Sequence, residues 1–157
     1  MRKLLVSVTG VVLLMAVVAG VTLASGAVKL NGTFDVSATV KANDVGVPPG
    51  TKLKDTYTFK CKSKSCSKVT LTRTSGTRNI KSTLKKNKKG VYVGTEGPVA
   101  YTCINPIGTP GKFTSDHTIK VTKSKAGKAT KISGTTATHI TGCKETHETV
   151  QLSGKLK

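Results

Sequence analysis

The feature that most constrains the fold of this chain is a two-residue alternation of apolar and polar side chains. From Leu30 to Val40 the even-numbered positions are apolar or small, and the odd-numbered positions from Asn31 to Lys41 are polar or charged. Successive side chains of a strand point to opposite faces, so this pattern predicts a strand with one buried face. The alternation recurs toward the C-terminus, and no segment beyond residue 27 has a helical period. We therefore expect an all-β domain.

Turn-forming residues separate the alternating segments, as at 48–50, 87–90 and 126–127. The spacing predicts about nine short strands joined by hairpins, with 90–95 and 99–103 as two separate strands. Because no predicted helix would cover an open sheet edge, we expect a single antiparallel up-and-down β-barrel. A β-sandwich is the alternative.

The N-terminus indicates export. Arg2 and Lys3 precede an apolar run over residues 4–23, and small side chains follow at 24–27. This order is that of a secretory signal peptide, so we predict a signal peptide over 1–26 and one β-barrel domain over 27–157. The predicted localisation is secreted. The apolar run is also long enough to span a bilayer, so an uncleaved N-terminal membrane anchor is the alternative.

Four cysteines follow the predicted signal peptide, and an even number in an oxidising compartment predicts two disulfides. Of the three possible pairings we favour Cys61–Cys66 with Cys103–Cys143. Cys61 ends one predicted strand and Cys66 lies just before the next, so the first bond would close a tight hairpin. The second would close a long loop and remove more entropy from the unfolded chain.

The sequence gives little evidence for a catalytic site or a metal site. His139 and His147 each lie four residues from Cys143, a spacing that suits a helix, but this Thr-rich segment is predicted to be strand. With all four thiols assigned to disulfides, we predict no catalytic residue, no metal and no cofactor, and hence no enzyme.

Two titratable residues fall in the inward phase of their strands. Asp55 is predicted to line the barrel mouth or to pair with a lysine, and His117 to be a hydrogen-bonded core residue rather than a ligand contact. The other acidic residues are mostly expected at solvent-facing positions or in turns.

Charge is the strongest functional signal. Without Arg2 and Lys3, 24 basic residues remain against 7 acidic ones, a formal charge of +17. Lysines crowd three predicted hairpins, and we expect them to bind an anionic cell-wall polymer or a membrane surface. The candidate residues are Lys62, Lys64, Lys68, Lys81, Lys85, Lys86, Lys88 and Lys89, with Lys60 beside them and Lys120, Lys123, Lys125, Lys128 and Lys131 in the third hairpin. The alternative is a solvated surface that resists aggregation. Nucleic acid is disfavoured because arginine is scarce and no aromatic stacking platform is evident.

A barrel of this size can also enclose a small apolar ligand. The inward-facing side chains that would line such a cavity are Phe34, Tyr57, Phe59, Tyr101, Phe113 and His117. The same side chains could equally be a filled core, and the cavity volume decides between the two.

Two resemblances add to this interpretation. Gly32-Thr33-Phe34 resembles the opening of the lipocalin/calycin family, with Phe34 where that family has tryptophan. The wider layout, an aromatic strand ending in Cys61, then Cys66, then a strand over 90–94, is similar to uncharacterised secreted proteins of actinobacterial type. Both resemblances imply a barrel more than an activity. We expect a monomeric, secreted, non-enzymatic binding module of the cell envelope, with a carrier of a small apolar ligand or a secreted inhibitor as alternatives.

Overall fold

The computed structural model describes residues 28–75 and 78–157, so the predicted signal peptide over 1–26 lies outside the described residues. The described chain forms eight β-strands and no helix that could cross a bilayer. The strands are β1 (Gly32–Asn43), β2 (Lys52–Cys61), β3 (Lys68–Ser75), β4 (Arg78–Lys86), β5 (Tyr92–Thr102), β6 (Pro110–Lys125), β7 (Lys128–Thr141) and β8 (His147–Leu156).

Each strand pairs antiparallel with the next, and β8 returns to pair with β1, which closes the sheet into a barrel. Phe34 of β1, for example, lies opposite Tyr57 of β2 on one side and Leu156 of β8 on the other. The predicted all-β up-and-down barrel is confirmed. Closure pairs strands that would otherwise be edges, as the absence of a covering helix led us to expect.

The barrel has eight strands rather than about nine because two predicted strands are one. β5 runs continuously from Tyr92 to Thr102, and its register against β6 shifts between Glu96 and Val99. This irregularity at Gly97-Pro98 reverses the side-chain phase. Before it the even-numbered Glu96 is buried, and beyond it the odd-numbered Cys103 is buried.

The up-and-down topology gives the barrel two distinct ends. The β2–β3, β4–β5 and β6–β7 hairpins lie at one end, together with the start of β1 and the end of β8. We call this the basic end. The β1–β2, β5–β6 and β7–β8 connections lie at the other end, with the end of β3 and the start of β4. We call it the pocket end after the cavity described below.

The hydrophobic core lies mainly toward the basic end, and Val40 and Val150 continue it toward the pocket end. Its largest apolar members are fully buried: Leu30, Phe34, Phe59, Leu71, Leu84, Tyr92, Ile119, Ile132 and Leu152. Leu30 precedes β1, and its carbonyl oxygen lies 3.5 Å from the Cys61 sulfur at the start of the Cys61–Cys66 loop. The Tyr92 hydroxyl donates a hydrogen bond to the carbonyl of Cys66 at 3.0 Å and so holds the Cys61–Cys66 loop against the core.

One junction of the barrel is short. β4 and β5 pair only through Lys85 with Val93 and Lys86 with Tyr92, next to their hairpin. Gly94 lies just beyond, where an added Cβ would meet the carbonyl oxygen of Thr83, so the strands still touch there. Nearer the pocket end no residue pairs join the described parts of β4 and β5. We call this stretch the seam.

Candidate functional site

Three lysine-bearing hairpins meet at the basic end. Lys62 and Lys64 lie in the β2–β3 loop, Lys68 begins β3, Lys85 and Lys86 end β4, and Lys88 and Lys89 form the β4–β5 turn. All are exposed except Lys86, which is half-buried with its ammonium 5.7 Å from the centre of the Tyr92 ring. Lys81 lies apart from them, on the outer wall near the middle of β4. The β6–β7 hairpin adds Lys123, Lys125, Lys128 and Lys131.

Several of these lysines face one another directly across the strand ladder. The opposed pairs are Lys68 with Lys85, Lys125 with Lys128, Lys123 with Lys131, and Lys131 with Lys155. Like charges in such positions destabilise a sheet. Each of these pairs lies at the basic end.

Acidic residues are almost absent from this end. Asp35, which forms an ion pair with Lys157 at 3.0 Å, is the one acidic side chain there. The other six acidic residues lie inside the barrel, on its wall or at the pocket end. The positive charge of the basic end is therefore left largely uncompensated within the described chain.

The barrel interior holds a charged group that we call the polar cluster: Asp55, Arg73, Glu96, His117 and Thr136. The Arg73 guanidinium donates two hydrogen bonds to the Glu96 carboxylate, from Nη2 at 2.7 Å and from Nε at 3.4 Å. His117 lies between Glu96 and Thr136, with Nε2 3.3 Å from Glu96 Oε2 and Nδ1 3.0 Å from Thr136 Oγ1. The cluster thus joins strands β2, β3, β5, β6 and β7.

Glu96 is fully buried and remains ionised because of its partners. Burial alone would raise the pKa of its carboxyl, but the hydrogen bonds and charges of His117 and Arg73 hold that pKa below its ordinary value. The pKa of Arg73 shifts in the opposite direction. Burial would lower the pKa of its guanidinium, and Glu96 raises it instead.

Asp55 belongs to this cluster through Arg73, and Tyr57 lies beside the cluster. The Asp55 carboxylate is 4.0 Å from Arg73 Nη1, so its partner is an arginine and not the lysine expected from the sequence. Tyr57 is buried with its ring edge-on to His117, at a centroid distance of 6.3 Å, and burial raises the pKa of its hydroxyl to about 12.

A cavity of about 270 Å³ opens above the polar cluster at the pocket end. Its walls are mostly apolar, and Tyr101 packs edge-to-face on Phe113 at a centroid distance of 6.3 Å. The apolar lining residues are Val45, Ile80, Tyr101, Ile104, Phe113 and Ile140, and the polar ones are Arg73, Thr138 and Glu148. Ile80 and Tyr101 come from the two strands of the seam.

The six residues predicted to line a ligand cavity divide between the core and this pocket. Phe34, Tyr57, Phe59 and His117 are buried in the filled interior. Tyr101 and Phe113 line the cavity at the pocket end. The two groups therefore lie at different levels of the barrel.

The loops around the pocket are tied down by two carboxylates and a disulfide. Asp44 accepts hydrogen bonds from the backbone amides of His147 and Thr146, which hold the pKa of its carboxyl well below its usual range. Glu145 is buried, which would raise the pKa of its carboxyl, but hydrogen bonds from the amides of Ile104 and Asn105 lower that pKa overall.

Both predicted disulfides are present, with Cα separations of 4.9 Å for Cys61–Cys66 and 5.4 Å for Cys103–Cys143. The sulfurs of Cys103 and Cys143 lie close to the Glu145 carboxylate. Because these sulfurs are bonded to each other, they cannot serve as thiolate ligands for a metal. His139 and His147 instead lie near Asp116 at 3.8 Å and Asp44 at 3.2 Å.

Sequence reasoning missed three interior residues: Arg73, Glu96 and Glu148. Glu96 fell between two strands that were predicted separately, so it was expected in a turn or on the surface. Arg73 lies in the inward phase set by Val69 and Leu71, and that phase was the signal that could have found it. Glu148 alternates with Val150 and Leu152 in the same way.

Comparison of the chain with protein-family models, with curated proteins and with solved structures found no match in any of the three.

Proposed function

We propose that this protein is a secreted, non-enzymatic binding module that attaches through its basic end to an anionic polymer or anionic lipid surface of a cell envelope. The observation that carries the proposal is the set of lysine pairs that face each other across the ladder there. Each pair costs stability in the free protein, and an anionic partner would relieve that cost.

A purely protective role accounts for the lysines less well. Lysine guards unpaired strand edges, but β2 and β3, and likewise β6 and β7, are fully paired where their lysines lie. The charge is also concentrated at one end rather than spread over the wall. Lysines that served only to keep the protein soluble would not need to be concentrated at one end.

The chemistry of the basic end favours a diffuse polyanion. Flexible lysine ammoniums act as point charges, whereas planar recognition of single phosphates or bases depends on arginine. Arg73, one of the two arginines beyond the predicted signal peptide, is engaged inside the barrel. Attraction of this kind weakens with salt.

The disulfides support an extracellular setting. Two closed cysteine pairs persist in oxidising compartments and are rare in the cytosol. A secreted protein meets the anionic polymers and lipid headgroups of the envelope, and nucleic acid is not the expected partner there.

Charge reversal at the β4–β5 turn tests the proposal. Lys88→Glu/Lys89→Glu changes two exposed side chains, and each lysine near an anionic bilayer contributes about 1 kcal/mol. We expect the affinity for vesicles rich in an anionic lipid, and for soluble polyphosphate, to fall by about 30-fold or more at low salt. Co-sedimentation and fluorescence titration would measure the two affinities.

The matched control is Lys52→Glu/Lys112→Glu, which makes the same change in net charge at the pocket end of the barrel. If both double variants lose affinity equally, overall charge rather than the basic end attracts the partner, and the proposal fails. It fails as well if the affinity of the unaltered protein does not depend on salt.

A second candidate function is carriage of a small apolar ligand, and the cavity at the pocket end favours it. A pocket with mostly apolar walls and a few convergent polar groups is the usual form of a small-molecule site. The two functions use opposite ends of the barrel, so neither excludes the other.

A further inference from the structure

The polar residues of the pocket are not equally available to a ligand. Arg73 is held by Glu96 and lies near Asp55, so its charge is already balanced by two carboxylates. The hydroxyl of Thr138 is hydrogen-bonded to Ser115 Oγ at 2.9 Å. These two side chains are committed to the barrel itself.

Glu148 is different. This residue lines the cavity, and its carboxylate has no hydrogen-bond or ion-pair partner among the described side chains. Burial raises the pKa of this carboxyl, with the charge of Asp55 adding to the effect and that of Arg73 opposing it. A half-buried carboxylate of this kind gains most from a cationic hydrogen-bond donor.

The acidic residues near the cavity, like Glu148, favour a cationic ligand. Asp55 and Glu96 form ion pairs with the single guanidinium of Arg73, and Glu148 is a third acidic residue that lines the same cavity as Arg73. The carboxylates thus outnumber the guanidinium at the floor of a pocket whose remaining lining is mostly apolar. An anionic ligand would meet this field unfavourably, and a cation would be attracted.

The aromatic wall suits a cation as well. Tyr101 and Phe113 both line the cavity and pack edge-to-face, at an interplanar angle of 87°. An ammonium over an aromatic ring is attracted by the negative face of the ring. Ile104, half exposed at the rim, extends this wall and would be covered by a bound molecule.

We propose that the pocket binds a small amphiphile with an apolar body and one ammonium group, the ammonium beside Glu148 and the body between Tyr101, Phe113 and Ile140. This assignment rests on the second candidate function, ligand carriage, and adds to it the charge of the ligand. The volume of about 270 Å³ fits a two-ring molecule rather than a long lipid chain.

Three probes that share one ring system and differ in the attached group test the assignment: naphthylmethylamine, naphthylmethanol and naphthoate. The chain contains no tryptophan, so naphthyl fluorescence can be followed directly on the full-length protein. We expect the amine to bind at least about tenfold more tightly than the alcohol, and naphthoate to bind most weakly.

Two variants make the test specific to Glu148. In Glu148→Gln we expect the affinity for the amine to fall about tenfold, with the affinity for the alcohol unchanged. Asp35→Asn removes one carboxylate at the basic end and should leave both affinities unaltered. Thermal unfolding of Glu148→Gln serves as the folding control, and its midpoint should equal or exceed that of the unaltered protein.

The outcomes distinguish failure of the ammonium assignment from failure of ligand carriage itself. If amine and alcohol bind equally and Glu148→Gln changes neither, the pocket carries apolar ligands and the ammonium assignment is wrong. Tightest binding by naphthoate overturns it too, since Arg73 would then be the recognising group. If none of the three probes binds, ligand carriage itself fails along with the assignment.

Discussion

At the scale of single residues, the most consequential side chain is the buried carboxylate of Glu96. It accepts hydrogen bonds from Arg73 on one side and lies within hydrogen-bond distance of His117 on the other, so one buried carboxylate contacts two basic side chains. Removing one partner of such a buried pair leaves the other charge without compensation, which costs more than the pair contributes. The cluster is therefore more sensitive to partial than to complete removal.

We expect Glu96→Gln to lower the free energy of unfolding by about 3 kcal/mol, because Arg73 keeps its charge and loses the carboxylate that accepts its hydrogen bonds. Urea unfolding at neutral pH would measure the change. Asp35→Asn is the control, an exposed carboxylate in a single surface ion pair, and should cost less than about 1 kcal/mol. Equal effects of the two variants would mean that the Arg73–Glu96 pair adds nothing to stability.

At the scale of elements, the pocket end depends on its connections more than on its strands. Asp44 ties the β1–β2 loop to the start of β8, and Glu145 ties the β7–β8 loop to the β5–β6 loop. Cys103–Cys143 joins the same two loops covalently. These contacts fix the rim around the cavity, where the short seam between β4 and β5 gives less support.

The carboxylates of the rim predict sensitivity to acid. The pKa of Asp44 and that of Glu145 lie below their ordinary values of 3.8 and 4.5 in the folded protein. Their stabilisation is complete above those values and is lost as pH falls through the lowered ones. We expect the urea midpoint to fall as pH drops below about 4.5, and to fall less in Asp44→Asn than in the unaltered protein. Parallel pH profiles of the two proteins would contradict this role for Asp44.

The two disulfides should contribute unequally. Cys103–Cys143 spans 40 residues and Cys61–Cys66 spans 5, so loop entropy predicts losses of about 4 and about 2 kcal/mol when each pair is replaced by alanine. Thermal unfolding of the two double variants under identical conditions would rank them. A larger loss from the shorter loop would show that native contacts of the β2–β3 hairpin, and not chain entropy, dominate.

At the scale of the whole molecule, the sequence predicted the architecture well and the interior poorly. Alternation from Leu30 to Lys41 fixed strand type and phase, because both depend on local geometry. An up-and-down order then places every second hairpin at the same end, which is why the lysine hairpins meet. The two disulfide pairs also followed from cysteine spacing.

The polar cluster could not be predicted in the same way. It joins side chains from strands far apart in sequence, and Arg73 meets Glu96 only because the barrel closes around them. The irregularity after Glu96 changes the phase within one strand, which a period of two cannot represent. The pocket depends on the volume left by packed side chains, and alternation contains no information on volume.

Both ends of the described chain lie at the basic end. Lys29 is hydrogen-bonded beside the β6–β7 hairpin, and Lys157 donates its backbone amide to Thr33 at 2.9 Å. Any fusion partner, purification tag or retained leader must therefore leave the barrel among the lysines. A protein immobilised through either terminus would present its pocket to solution and turn its lysines toward the support. Binding assays for the two ends consequently need opposite attachment strategies, with an internal loop such as β5–β6 as the handle when the lysines are to be left free.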